Sequence, residues 1–147
     1  MDNILLVDTT TIRSIPKKTV GDIASRDVIS FKMGWSVKEA ARKLTSNDID
    51  GAPVMKDGKV VGVFTVTDLV QAIAGDKEDR TVGELMSTDV VIVNENLKIA
   101  NAIEVMLKKS ISRLIIADND NNLLGIVTRT DLIDSITNLE QFPIITN

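Results

Sequence analysis

Two short strings hold the residues best suited to chemistry. GVFTVTDL occupies positions 62–69 and GIVTRTDL positions 125–132. Each is a glycine, two aliphatics, then Thr-x-Thr-Asp-Leu. Thr65-x-x-Asp68 and Thr128-x-x-Asp131 fit the spacing of a capping box at a strand-to-helix junction. There the threonine oxygen accepts from an orphan helix amide, and the acid reaches back while favouring the positive end of the helix dipole. The same residues support a second chemistry. A helix N-terminus at the end of a strand suits an anion. Thr65 and Thr67, or Thr128 and Thr130, add hydroxyl donors for phosphate oxygens. Ionised Asp68 or Asp131 accepts only, so it can take hydrogen bonds from two vicinal hydroxyls, as on a ribose. The strings themselves do not choose between a cap and a nucleotide clamp.

Composition removes other chemistries. The chain has no cysteine and no histidine. Disulfides, thiol nucleophiles, thiolate metal sites and imidazole catalysis are therefore excluded. There is no P-loop string, so an intrinsic phosphoryl-transfer enzyme is not expected, and no catalytic or metal-binding residues are assigned. Asp118 to Asn122 resembles part of a calcium loop but lacks its glycine and distal glutamate, and it reads as a turn. A net charge of −4 and 3% aromatic residues argue against nucleic-acid binding. The pairs Lys17-Lys18 and Lys108-Lys109 are too small to make a basic patch. The start, MDNILLVD, lacks the features of a secretory signal. No apolar run approaches the roughly 18 residues of a membrane span. A soluble, cytoplasmic protein is expected.

The two strings are the ends of a duplicated unit. TVGDIASRDVI begins at Thr19 and TVGELMSTDVV at Thr81. The match runs on through Ile49 and Ile111 and gains one residue where KDGK becomes DNDNN, both turn-rich strings of a hairpin. An insertion there is expected to disturb nothing packed. Each unit begins with a β-rich run, Val28-Ile29 or Val90 to Val93. A helix follows, with Val37, Ala40, Ala41 and Leu44, or Leu97, Ala100, Ile103, Met106 and Leu107, at helical spacing. Two strands flank the hairpin, Ala52 to Met55 with Val60 to Thr65, and Leu114 to Ala117 with Leu123 to Thr128. A last helix covers Leu69 to Ala74 or Leu132 to Ile136. The order is β-α-β-β-α, twice, with near-continuous apolar runs expected of well-covered sheets. The division is an extension at 1–18, repeats at 19–75 and 81–137, a linker at 76–80 and a tail at 138–147. The extension and tail are expected to add strand or loop on the outside.

This pattern resembles the CBS domain, which pairs in tandem as the Bateman module. The resemblance spans about residues 19–137. It rests on the element order, on IDGAPV (49–54) before the hairpin, and on the two Thr-x-Thr-Asp strings. It implies an α/β (α+β) fold of two pseudo-symmetric repeats packed sheet to sheet. It also implies two clefts for adenosine-containing ligands, each sharing residues of both repeats. One would combine Ile29, Asp50 and Gly51 with Thr128, Thr130 and Asp131. The other would combine Val91, Ser112 and Arg113 with Thr65, Thr67 and Asp68. Ile29 and Val91 would meet the base. Arg113 would hold phosphate, whereas Asp50 would repel it. Ile115, where the first repeat has Pro53, puts the backbone beside Arg113 in question. Arg129 is a solvated first-turn residue within reach of a phosphate. The expected ligands are AMP, ADP or ATP, ahead of S-adenosylmethionine or NAD, with no required cofactor. The expected role is non-catalytic regulation by a homodimer acting through a regulated protein. The alternative is a ligand-free module for dimerisation or docking.

Several other residues have plainer roles. Trp35 is expected to pack as a staple before the first helix. Met33, Met55, Met86 and Met106 read as core filler. Gly62 and Gly125 point to a close backbone approach or a bulge.

Overall fold

The computed structural model describes residues 18–137. The tail at 138–147 and the extension up to residue 17 lie outside the described residues. Elements follow in the order α1 (Val20–Ile23), β1 (Phe31–Lys32), α2 (Val37–Ser46), β2 (Gly51–Lys56), β3 (Lys59–Thr65) and α3 (Val66–Ala74). Then come α4 (Val82–Leu85), β4 (Ile92–Val93), α5 (Ile99–Lys109), β5 (Arg113–Ala117), β6 (Leu123–Thr128) and α6 (Arg129–Thr137). Two three-stranded sheets result, β1-β2-β3 and β4-β5-β6. The chain is α/β, and the predicted β-α-β-β-α order is present twice, each time preceded by a single-turn helix that the sequence reading did not include.

Local chemistry explains the elements. Ser36 caps α2 by accepting from the Glu39 amide at 3.2 Å, and Glu39 accepts from the Ser36 amide at 3.2 Å. The buried residues Val37, Ala40 and Leu44 fall at helical spacing. Trp35, just before that cap, packs against the core with its ring centroid 5.7 Å from that of Phe31. Asp57 and Gly58 turn the β2–β3 hairpin with φ of 52° and 78°. Two positive φ values in a two-residue loop match the twist of the strands, and Asp-Gly suits that turn. β2 and β5 are the central strands, and each buries four residues in a row. β3 alternates buried and half-buried positions. The near-continuous apolar run thus belongs to the central strands, where both faces are covered.

The first strand differs from expectation. It forms at Phe31–Lys32, where Phe31 is paired in parallel with Val54, rather than at Val28-Ile29. The β-branched pair has the local preference, but Phe31 has the partner and is fully buried.

The compact units cut across the repeats. One unit gathers residues 18–26, 92–118 and 124–137, and the other gathers 27–91 and 119–123. In the first, Val20 and Gly21 of α1 donate to the carbonyls of Leu97 and Glu95 at 2.8 and 2.9 Å. Ser25 and Ile126 exchange two bonds of 3.0 Å. In the second, Val82 and Gly83 of α4 donate to Trp35 and Met33 at 2.8 and 2.9 Å, and Val63 and Ser87 exchange two bonds of 2.9 Å. The leading segment of the first repeat therefore docks on elements of the second repeat, and that of the second on elements of the first. The DNDNN turn is also occupied. Val60 donates to the Asn121 carbonyl at 3.0 Å, and Lys59 Nζ to Asn122 Oδ1 at 3.0 Å. The expectation that an insertion there disturbs nothing packed is corrected: this turn satisfies a strand amide.

Each leading segment is capped by an acid three residues on. The Thr19 amide donates to Asp22 Oδ2 at 2.9 Å and the Thr81 amide to Glu84 Oε1 at 3.0 Å. These backbone donors, helped by the threonine hydroxyls, hold both acids below their ordinary values. The sign follows from that lowering. The caps stabilise above the unfolded carboxylate range and lose their contribution as pH falls through the lowered values. A thermal-melt series against pH should therefore lose part of its acid limb in the double variant Asp22→Asn, Glu84→Gln.

The glycines before the two motifs are spacing devices. A Cβ on Gly62 would stand 2.6 Å from Met86 Sδ and 2.8 Å from the Ser87 carbonyl oxygen. One on Gly125 would stand 3.0 Å from the Ser25 carbonyl oxygen. The close approach comes from the docked leading segments. Denaturant unfolding of Gly62→Ala should show a loss of about 1–3 kcal/mol, and of Gly125→Ala a smaller one.

Candidate functional site

The two Thr-x-Thr-Asp strings fold as strand-to-helix corners of one design. At the first, Gly51 pairs with Thr65 in the β2–β3 ladder, and the Val66 amide donates to the Asp50 carbonyl at 2.9 Å. The Asp68 amide donates to Thr65 Oγ1 at 3.3 Å. Asp68 Oδ2 accepts from the Thr65 amide at 2.8 Å and from its hydroxyl at 3.1 Å. At the second corner, the Arg129 amide donates to the Ser112 carbonyl at 3.1 Å. The Asp131 amide donates to Thr128 Oγ1 at 3.2 Å, and Asp131 Oδ2 accepts from the Thr128 amide at 2.9 Å. The capping reading is therefore real at both corners.

Capping leaves part of each corner unspent. The helix amides of the first and third positions have acceptors. The second, at Thr67 or Thr130, has none among the described residues, and both of these side chains are exposed. Every hydrogen bond of the Asp68 and Asp131 carboxylates ends on Oδ2. Oδ1 takes none among the described residues. A carboxylate accepts at both oxygens, so a cap on one leaves the other able to accept hydroxyl donors.

The remaining candidates sit around these corners. Asp50 and Ser112 are exposed at the starts of β2 and β5. Gly51 is buried and Arg113 half-buried. Ile29 and Val91 are half-buried and belong to neither helix nor strand. Ile115, in the place of Pro53, is buried and pairs with Ile92, so β5 stays regular through to Arg113. Arg129 is exposed but not merely solvated: its Nε donates to the Ile111 carbonyl at 2.9 Å. Asp50 and Gly51 lie with Asp68 in one compact unit, and Ser112 and Arg113 with Asp131 in the other. The crossed combinations implied by the resemblance join residues of different units.

A separate groove of about 240 Å³ lies between α5 and α6. It is lined by aliphatic side chains, among them Ile103, Met106, Ile133 and Ile136, with Arg129 at one side. Such a lining offers nothing to a ribose. No helix among the described residues is long and apolar enough to cross a membrane. The sequence reading missed the Thr19–Asp22 and Thr81–Glu84 caps, although Thr-x-x-Asp and Thr-x-x-Glu spell them out.

A tandem α/β repeat closing each copy on a threonine-capped helix defines a class of paired-repeat protein. Residues 20–75 and again 82–138 match the CBS domain, and the chain belongs to that family. Protein MJ1232 of Methanocaldococcus jannaschii is 36% identical over 134 residues, covering 91% of this chain and 45% of that protein. The inosine-5'-monophosphate dehydrogenase of Thermoplasma acidophilum is 33% identical over 111 residues, covering 76% of this chain and 22% of the enzyme. The chain thus spans less than half the length of these two relatives, and the one that is an enzyme is much longer than the matched part. Among solved structures, the CBS domain pair of MJ0100, in complex with 5'-methylthioadenosine and S-adenosyl-L-methionine, has a TM-score of 0.74 at 31% identity. It covers 81% of this chain and 95% of that one. CBSX2 in complex with AMP has a TM-score of 0.72 at 27% identity, covering 80% and 95%.

Removing each cap oxygen should show how much of a corner is structural. Thr65→Ala and Thr128→Ala should each lower stability by about 1 kcal/mol in urea unfolding, as lost N-caps do.

Proposed function

We propose that this chain is a regulatory module that binds an adenosine-containing nucleotide at the Thr-x-Thr-Asp corners. The observation that carries the reading is the division of labour on each aspartate. Oδ2 closes the cap, and Oδ1 is left for the ribose hydroxyls. Thr65, Thr67, Thr128 and Thr130 supply hydroxyls for phosphate, and the amides of Thr67 and Thr130 add donors at helix N-termini. Ile29 and Val91 meet the base. Arg113 is the proposed phosphate partner, and AMP, ADP or ATP is the proposed ligand. The acid at Asp50 disfavours a polyphosphate and suits a less anionic adenosine compound. The AMP and S-adenosylmethionine complexes of similar CBS pairs support an adenosine ligand. The module acts as a homodimer on a partner protein, changing the balance of its conformations by binding one arrangement better.

One observation favours a plainer reading: both caps close with protein groups alone. A module serving only docking would need nothing more. Thermal unfolding with AMP, ADP, ATP, S-adenosylmethionine, NAD and GTP separates the two. A ligand at a hundred times its Kd should add about 2.7 kcal/mol. The shift should vanish at one corner in Asp68→Ala or Asp131→Ala, and Arg113→Ala should weaken the more highly charged nucleotides most. Wild-type melting that ignores the whole panel would favour docking.

A further inference from the structure

Arg26 makes three contacts at the point where the chain passes from one compact unit to the other, between residues 26 and 27. Its Nη2 donates to the Gly21 carbonyl at 2.8 Å and to Glu95 Oε1 at 3.3 Å, and its Nη1 donates to the Leu124 carbonyl at 3.1 Å. One guanidinium therefore ties together α1, the approach to α5, and β6. Its side chain is 48% exposed and that of Glu95 45%. Downstream, residues 27–30 belong to neither helix nor strand, and the ladder begins at Phe31 with its partner Val54. Ile29 lies on this short span. It follows the Arg26 contacts by three residues, precedes β1, and packs against the apolar core of the unit built on β1–β3.

The equivalent joint is built differently. Ser87 pairs with Val63 just as Ser25 pairs with Ile126. Thr88 then stands where Arg26 stands, and Met33 where Glu95 stands. Met33 and Met86 crowd against Gly83 and Gly62 and pack on the apolar core. One joint is thus closed by a charged fork and the other by thioethers. Arginine presents its donors in a rigid planar fork from two nitrogens, which the compact ammonium of a lysine does not reproduce.

We propose that Arg26 is a positioning residue, an anchor that sets the segment carrying Ile29 for the adenine base. Its role toward the base rests on the nucleotide reading above, whereas the anchor itself rests on geometry alone. The anchor also responds to ionic strength, because its half-exposed ion pair is screened by salt.

Amide hydrogen exchange of the full chain tests the anchor, using wild type, Arg26→Met, Glu95→Gln and Thr88→Met at low salt and at about 1 M salt. The reporters are the amides of Ser25 and Ile126, and the internal controls are those of Val63 and Ser87. Arg26→Met should speed exchange of the reporters about tenfold, the scale of losing hydrogen bonds to a charged group, and leave the controls unchanged. Salt should reproduce part of that effect in wild type but not in Arg26→Met or Glu95→Gln. Unchanged reporters would overturn the anchor, and so would all four amides moving together, which marks general destabilisation. Titration with AMP and S-adenosylmethionine tests the positioning role. Affinity for one of them should fall about tenfold in Arg26→Met and hold in Thr88→Met. Faster exchange with unchanged affinity would overturn positioning. If wild type binds neither probe, the nucleotide reading fails by itself, and the exchange result still decides the anchor.

Discussion

A helix that starts directly from a buried strand must find acceptors for its first amides, and most of this protein is arranged around that requirement. At α3 and α6 the first amide goes to a carbonyl at the start of the neighbouring strand, and the third goes to the threonine that ends its own strand. The aspartate completes the box on one oxygen. These bonds fix the angle between strand and helix, and the helix then covers the sheet. A corner stiffened in this way holds a hydroxyl, an amide and a carboxylate oxygen in set positions without help from a ligand.

The same accounting governs the leading segments. α1 and α4 are single turns, too short to be stable by themselves. Each is held by donating its first amides to carbonyls before a longer helix, and by a reciprocal pair of bonds to the middle of a strand. Glycine at Gly62 and Gly125 is what lets those segments come so close. A neighbouring backbone therefore fills the space beside each motif glycine, and a ligand is not needed to explain either one.

Duplication kept the backbone scheme and let side chains diverge. Val66 opens α3 where Arg129 opens α6, and Arg129 uses its side chain to hold the Ile111 carbonyl. An aspartate and glycine precede one corner, a serine and arginine the other. The core of the unit built on β1–β3 includes Phe31 and Phe64, with Trp35 packed against it. The buried residues on β4–β6 and the helices around them are aliphatic or methionine. Two copies with a common frame can therefore present different charge to whatever occupies their corners.

Much of the fold is written locally. Helical spacing marks α2 and α5, Asp-Gly marks the first hairpin, and Thr-x-x-Asp marks both corners, because each depends on residues within a few positions of one another. Pairing partners are another matter. Val28-Ile29 has the better strand composition, yet the strand forms at Phe31, since only tertiary packing supplies Val54 opposite and Phe64 alongside. The exchange of leading segments could not be read from the repeat, because it depends on carbonyls about 75 to 100 positions away for α1 and about 50 for α4. The role of Arg26 has no local signal for the same reason. Its acceptors at Glu95 and Leu124 meet only in the folded chain. The sequence alone determined the repeat, its element order and the chemistry available at each corner, because these are local properties of spacing and residue type. The tertiary structure alone decided which segment closes on which, because long-range backbone bonds are selected by packing and leave no local pattern.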